Sequence, residues 1–115
     1  MAISDSFRKC IVTIMDEYLN KMRPPAHLRE ELDMGYRIEN QSVEIFEIRP
    51  AFRNPGRKTE HPIAKATFVK RSGIWKIYWM RADLKWHRYE PVPVVDDLES
   101  FLSVIEDDHY CCFFG

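Results

Sequence analysis

Nowhere among the 115 residues is there an apolar run near the ~20 that cross a bilayer as a helix, and the opening Met-Ala-Ile-Ser-Asp-Ser lacks the basic-then-apolar order of a secretory signal. A cytoplasmic location and no membrane partner are expected. Glycine and proline number only four and seven, which excludes a collagen-like or linker-like chain. Cysteine is scarcer: Cys10, Cys111 and Cys112 are an odd set with two adjacent, so they form neither a disulfide framework nor a zinc-ligand spacing. HExxH, GxSxG, a Walker glycine loop and GxGxxG are all missing. No catalytic residue and no cofactor are therefore assigned, and the chain is read as a non-enzymatic binding domain ahead of a hydrolase. His61 beside Glu60 and His87 near Glu90 are the pairs from which a general base would come. The run from Glu106 to Cys112 holds several metal-ligand types, but adjacent side chains diverge and no second cluster completes four ligands, so no metal site is assigned.

What is present is the composition of one globular domain over residues 1–115, with 45% hydrophobic, 30% charged and 13% aromatic residues. The net charge of -1 conceals a segregation. From Arg49 to Arg88, eleven basic residues stand against Glu60 and Asp83, a net of +9, whereas residues 1–48 carry -3 and residues 89–115 carry -7. Local potential, not the global balance, decides which partners such a chain attracts.

Ser4 and Asp5 are N-cap types, and Phe7, Cys10, Ile11, Ile14, Tyr18 and Met22 follow at three- and four-residue steps. The pattern predicts a helix that ends by Arg23, before Pro24 and Pro25, with Cys10 as a core thiol on its buried stripe. Residues 25–32 read as a short second helix. Residues 34–39 and 42–52 read as a hairpin about Asn40-Gln41, with Pro50 ending useful pairing. Residues 53–61 contain a Pro-Gly signal and no periodicity, and are expected as an exposed basic loop. A second hairpin, 63–70 with 74–81, turns at Arg71-Ser72-Gly73, and Ala82-Asp83 leads into a strand that Pro91 and Pro93 stop. Asp96 and Glu99 are spaced as a capping box for a helix that aligns Leu98, Phe101, Leu102 and Ile105, and residues 110–114 read as an apolar tail docked on the core.

The expected fold is α+β, an antiparallel meander of four or five strands with the N-terminal and C-terminal helices packed on one face. Alternation puts Trp75, Ile77 and Trp79 inside with Ala64, Ala66 and Phe68, and turns Lys65, Thr67, Lys76 and Tyr78 outward. A face of cations and rings is the chemistry that single-stranded nucleic acid uses, phosphate to cation and base to ring. Arg49, Arg53, Arg57, Lys58, Lys65, Lys76 and Tyr78 are the candidate residues for binding nucleic acid or another polyanion. The alternative is a protein-interaction module, with a protein partner or a homodimer formed through strand edges, Tyr78, Met80 and the Phe113-Phe114 tail.

Arg37-Ile38, Val43 to Phe46 leading into Glu47-Ile48-Arg49-Pro50, Ile63-Ala64, Trp75-Lys76-Ile77-Tyr78-Trp79, Lys85-Trp86-His87-Arg88-Tyr89, and the closing Asp107 or Asp108 with Phe113-Phe114-Gly115 form a recognisable pattern. Over residues 35–115 it resembles domain-of-unknown-function family 3024, a family of small uncharacterised bacterial proteins. The resemblance implies a small bacterial cytoplasmic protein and brings no activity, cofactor or catalytic residue with it.

Overall fold

In the computed structural model, which describes residues 4–51 and 53–107, Ser4 caps the first helix by accepting the Phe7 amide at 3.4 Å. This helix, α1 (Asp5–Met22), stops where Pro24 and Pro25 withdraw the amides that a further turn needs. Ile11, Met15 and Tyr18 are buried, with Phe7, Ile14, Leu19 and Met22 packed beside them. Cys10 is exposed, contrary to the core position expected of it. At about 100° per residue it lies roughly 80° from Tyr18 around the helix, on the margin of the stripe and not at its centre.

The segment expected as a second helix is only a 3-10 turn, Ala26–Leu28. Two arginines hold the chain around it. Arg29 donates to the Pro24 carbonyl at 2.9 Å, and Arg23 donates from Nε and Nη2 to both Asp33 oxygens at 2.8 and 2.7 Å. This fork ties the end of α1 to the first strand. The hydrogen-bonded Arg23 guanidinium holds the Asp33 carboxyl below the usual carboxylate range. A carboxyl whose folded pKa is depressed stabilises the fold above its unfolded value, near 3.9, and loses that contribution as pH falls through the lowered folded value. Asp33→Asn should therefore lower the melting temperature at neutral pH, and the gap from wild type should close in acid. Thermal melts between about pH 2 and 7 check this.

Five strands follow as an antiparallel meander, β1 (Asp33–Glu39), β2 (Ser42–Ala51), β3 (Asn54–Val69), β4 (Ile74–Met80) and β5 (Trp86–Arg88), in spatial order β1-β2-β3-β4-β5. A sixth, β6 (Val94–Val95), pairs with Trp75 and Lys76 of β4, at the end of that strand that β5 leaves uncovered. The β1–β2 turn uses Asn40 at φ 55, and the β3–β4 turn uses Gly73 at φ 67, both left-handed positions that suit these residues.

Two expectations about the middle of the chain are corrected. Pro50 does not end pairing, because it lies opposite Lys58. Nor are residues 53–61 a loop, since β3 begins at Asn54 and the ladder closes at Ala51↔Asn54. A register shift between Pro50 and Ala51 accommodates the irregular geometry that Pro55-Gly56 signals. Pro50 is tolerated because β1 reaches only as far as Ile48, so no third strand asks for its missing N–H.

A second register shift, between Ile45 and Phe46, leaves Ile63 without a cross-strand partner on β2. Ile63 and its neighbour Ala64 are therefore both buried in the core. Phe46 falls by alternation on the opposite face and is nevertheless buried, in close approach to Gly35. A Cβ at Gly35 would stand 2.9 Å from Phe46 Cε2, so only glycine leaves the ring its place.

The last helix, α2 (Leu98–Asp107), is capped by Asp97, whose Oδ1 accepts the Ser100 amide at 2.8 Å. The cap therefore lies one residue after Asp96, and Glu99 sits inside the first turn without closing a capping box. Leu98, Phe101, Leu102 and Ile105 are all buried as the spacing predicts. They form one core with Ile11, Met15 and Tyr18 of α1 and with Val43, Ile45, Ala64, Ala66, Trp75 and Ile77 of the sheet, so both helices cover the same face. The expected apolar tail, residues 110–114, lies outside the described residues. Among the described residues no helix is long and apolar enough to cross a membrane.

Candidate functional site

Pairing divides the seven candidate residues between two places. Lys65, Lys76 and Tyr78 belong to the outer sheet face, where Lys65 stands opposite Tyr78, and Lys76 opposite Thr67. Arg49, Arg53, Arg57 and Lys58 belong to the far end of the β2–β3 hairpin.

On the outer face, Tyr78 lies opposite Arg88 and Met80 opposite Trp86. The Lys65 ammonium is 5.1 Å from the Tyr78 ring centroid and 5.0 Å from that of Trp86, a cation held between two rings. Burial pushes its pKa below the ordinary lysine value, against the smaller opposing pull of Glu44 and Glu39. Arg37 is likewise engaged, 4.6 Å over Phe46 and ion-paired with Glu60. This face is thus a mixed field of cations, rings and carboxylates. A count along the chain places Glu39 and Glu44 in the acidic segment 1–48, apart from the basic residues they face in the fold. Strand pairing sets Glu44 directly across from both Arg37 and Lys65. The alternation of Ser42 and Glu44 in β2, taken together with Lys65 in β3, is the signal that would have found them.

The hairpin end is simpler. β1 pairs with β2 no further than Ile48, and β4 pairs with β3 from Ala64 onward. Beyond those limits β2 and β3 continue as a two-stranded ribbon, an arm that carries four cations. Arg53 and Arg57 are exposed and make no ion pair among the described residues. Arg49 reaches Glu47 at 3.1 Å, and Lys58 reaches Glu30 at 3.4 Å, both as solvent-exposed pairs that hold their cations weakly. His61, considered with Glu60 as an acid-base pair, instead meets the Thr59 hydroxyl at 2.9 Å.

A third group, at the β4–β5 end, combines residues that no sequence motif joins. His87 Nε2 lies 2.8 Å from Asp83 Oδ2, not against Glu90, and the Lys85 amide donates to Asp83 at 3.0 Å. The His87 hydrogen bond is the first cause holding the Asp83 carboxyl below its usual range. The Arg81 guanidinium lies 5.4 Å over the Trp79 ring. A cavity of about 230 Å³ opens between Trp79, Arg81, His87, Arg88, Tyr89 and Glu90. No three His, Cys, Asp or Glu side chains are grouped to hold a metal ion among the described residues.

No curated protein and no solved structure matches this chain. One family model does, over residues 4–115, and it extends through α1 the likeness that the strand motifs carry. Spanning both helices and every strand, that match shows that the chain belongs to the family described as Domain of unknown function (DUF3024).

Proposed function

We propose that this protein binds a polyanion, single-stranded nucleic acid in the first place, through the arm formed by the ends of β2 and β3. The observation that carries this reading is the ribbon itself, on which Arg49, Arg53, Arg57 and Lys58 extend beyond the neighbouring strands while Arg53 and Arg57 have no ion-pair partner among the described residues. Such a ribbon offers guanidinium groups to phosphates, and the half-buried Tyr78 and Trp86 offer ring surface to bases. The Lys65 ammonium already lies against those two rings, so in this reading the arm guanidinium groups carry the phosphate contacts ahead of it. The acidic helix α2 favours the same reading, because its apolar stripe faces the helix-covered side of the sheet and leaves the outer face uncovered.

Fluorescence anisotropy with a labelled oligonucleotide bearing a 5′-hydroxyl tests the reading, with heparin as competitor. Four phosphate contacts on a single strand should cost about 50-fold in affinity between about 50 and about 200 mM salt. Absence of binding at the lower salt overturns it.

The long open edge of β1 favours a second reading, a protein or homodimer contact by strand addition, since β1 pairs only with β2 among the described residues. Light scattering after size exclusion separates the two. A strict monomer at high concentration removes self-association through that edge.

A further inference from the structure

α1 and α2 lie side by side with their C-terminal ends together, since Lys21 in the last turn of α1 reaches Glu106 near the end of α2 at 3.3 Å. A groove of about 310 Å³ runs between them, lined by the apolar Ile14 and Leu102 and by the exposed carboxylates of Glu17, Glu99 and Glu106. Glu99 and Glu106 are seven residues apart on α2, so they share a face and stand about 10 Å from one another along its axis. Lys21 is the cation that lines the groove, and with its side chain 69% exposed its pair with Glu106 holds it weakly. α2 ends on Glu106 and Asp107 with no basic residue in its last turn, so the negative end of the helix dipole adds to the field of Glu106.

Tyr18 gives an independent observation. It lines the same groove, is only 5% exposed, and carries a buried hydroxyl with no hydrogen-bond partner. Buried polar atoms are seldom left so. Burial, with the Glu106 charge nearby, pushes its pKa up to about 12, so the hydroxyl keeps its proton at neutral pH.

We propose that this groove is a binding site for an aliphatic diamine or polyamine, with one ammonium held by Glu106 and the Tyr18 hydroxyl, a second by Glu99, and the methylene stem on Ile14 and Leu102. The choice among cations follows from spacing. No three His, Cys, Asp or Glu side chains are grouped to hold a metal ion among the described residues, and carboxylates about 10 Å apart match charges set equally far apart. An ammonium carries three donors, of which the phenolic oxygen accepts one and a carboxylate another. The stem displaces water from the apolar lining between the two ends. The volume lies at the lower end of the range that takes whole small molecules.

The test is isothermal titration calorimetry at about 150 mM salt, where loose surface attraction is screened, with hexamethylenediamine, trimethylenediamine and hexylamine. The first two carry equal charge on stems of different length, and the third keeps the long stem with one charge. Saturable binding of hexamethylenediamine, about fivefold or more tighter than either of the others, is expected. Glu99→Gln/Glu106→Gln should weaken it by about tenfold. Tyr18→Phe should weaken it about threefold without lowering the melting temperature, because the hydroxyl it removes has no partner in the fold. A role of Tyr18 in packing alone would leave the affinity unchanged. Circular-dichroism melts confirm that each variant is folded. No saturable binding, equal affinity for the three amines, or affinity unchanged in either folded variant overturns the proposal. The arm takes no part in it: Arg53→Gln/Arg57→Gln should bind the diamine as wild type does, and failure here leaves the oligonucleotide titration to stand or fall by itself.

Discussion

Phe101→Ala should lower the free energy of unfolding by about 3–5 kcal/mol, among the largest stability effects expected of a single side chain here. Phe101 is fully buried on α2 between Leu98, Leu102 and Ile105 and belongs to the core that α1 and the sheet also line. Truncation removes a whole ring from a site closed on every side, so the transfer and cavity costs add. A domain of this length has about 6–17 kcal/mol in total, so roughly a fifth to four-fifths of its stability would be lost. Urea denaturation followed by circular dichroism should show a lower midpoint with the slope unchanged. Ile77→Ala, fully buried on β4, should follow at about 2–5 kcal/mol, whereas Lys76→Ala, the next residue along the same strand, should stay within about 0.5 kcal/mol. A loss below about 1 kcal/mol for Phe101→Ala would mean that α2 does not close the core.

The largest functional effect is expected at the arm. Arg53→Gln/Arg57→Gln should weaken oligonucleotide binding by about 60-fold at about 50 mM salt. It should also reduce the salt dependence between about 50 and about 200 mM from about 50-fold to about sevenfold. The reasoning is counterion release: each cation on a single strand contributes about 0.7 to the log–log slope, and these two are the arm cations without an ion-pair partner among the described residues. Lys65→Gln/Lys76→Gln should change the slope much less, because the Lys65 ammonium is held between Tyr78 and Trp86. Tyr78→Ala should weaken binding with the slope preserved, since stacking releases no counterions. Equal slopes for wild type and the arm variant would remove the arm from the interface. Thermal melts of the arm variant should match wild type, as both arginines lie beyond the core.

What this sequence determines alone is whatever depends on near neighbours in the chain. The three- and four-residue steps of α1 and α2, the alternation of β4 and the left-handed turns at Asn40 and Gly73 are local, because backbone periodicity and the steric demands of one residue set them. The helix stripes and the tryptophan row were legible for that reason, and with them an α+β meander whose helices share a face. Cys10 marks the resolution of such reasoning: a stripe has margins, and only the neighbouring elements decide which margin is covered. The candidate site depends on partners far apart in sequence. Residues 53–61 carry turn signals that local rules read as a loop, but a strand forms because the ladder with β2 supplies hydrogen bonds that no local pattern announces. The arm exists because β1 and β4 stop short of it, and the carboxylate across from Lys65, that of Glu44, comes from a strand about twenty residues earlier. Pairing also brings Trp79 opposite His87 at the β4–β5 end, beside a turn that sets Asp83 against that same histidine. Charge along a chain is additive and can be counted from sequence, but potential at a surface falls with distance in space, and those distances are set only when the strands pair.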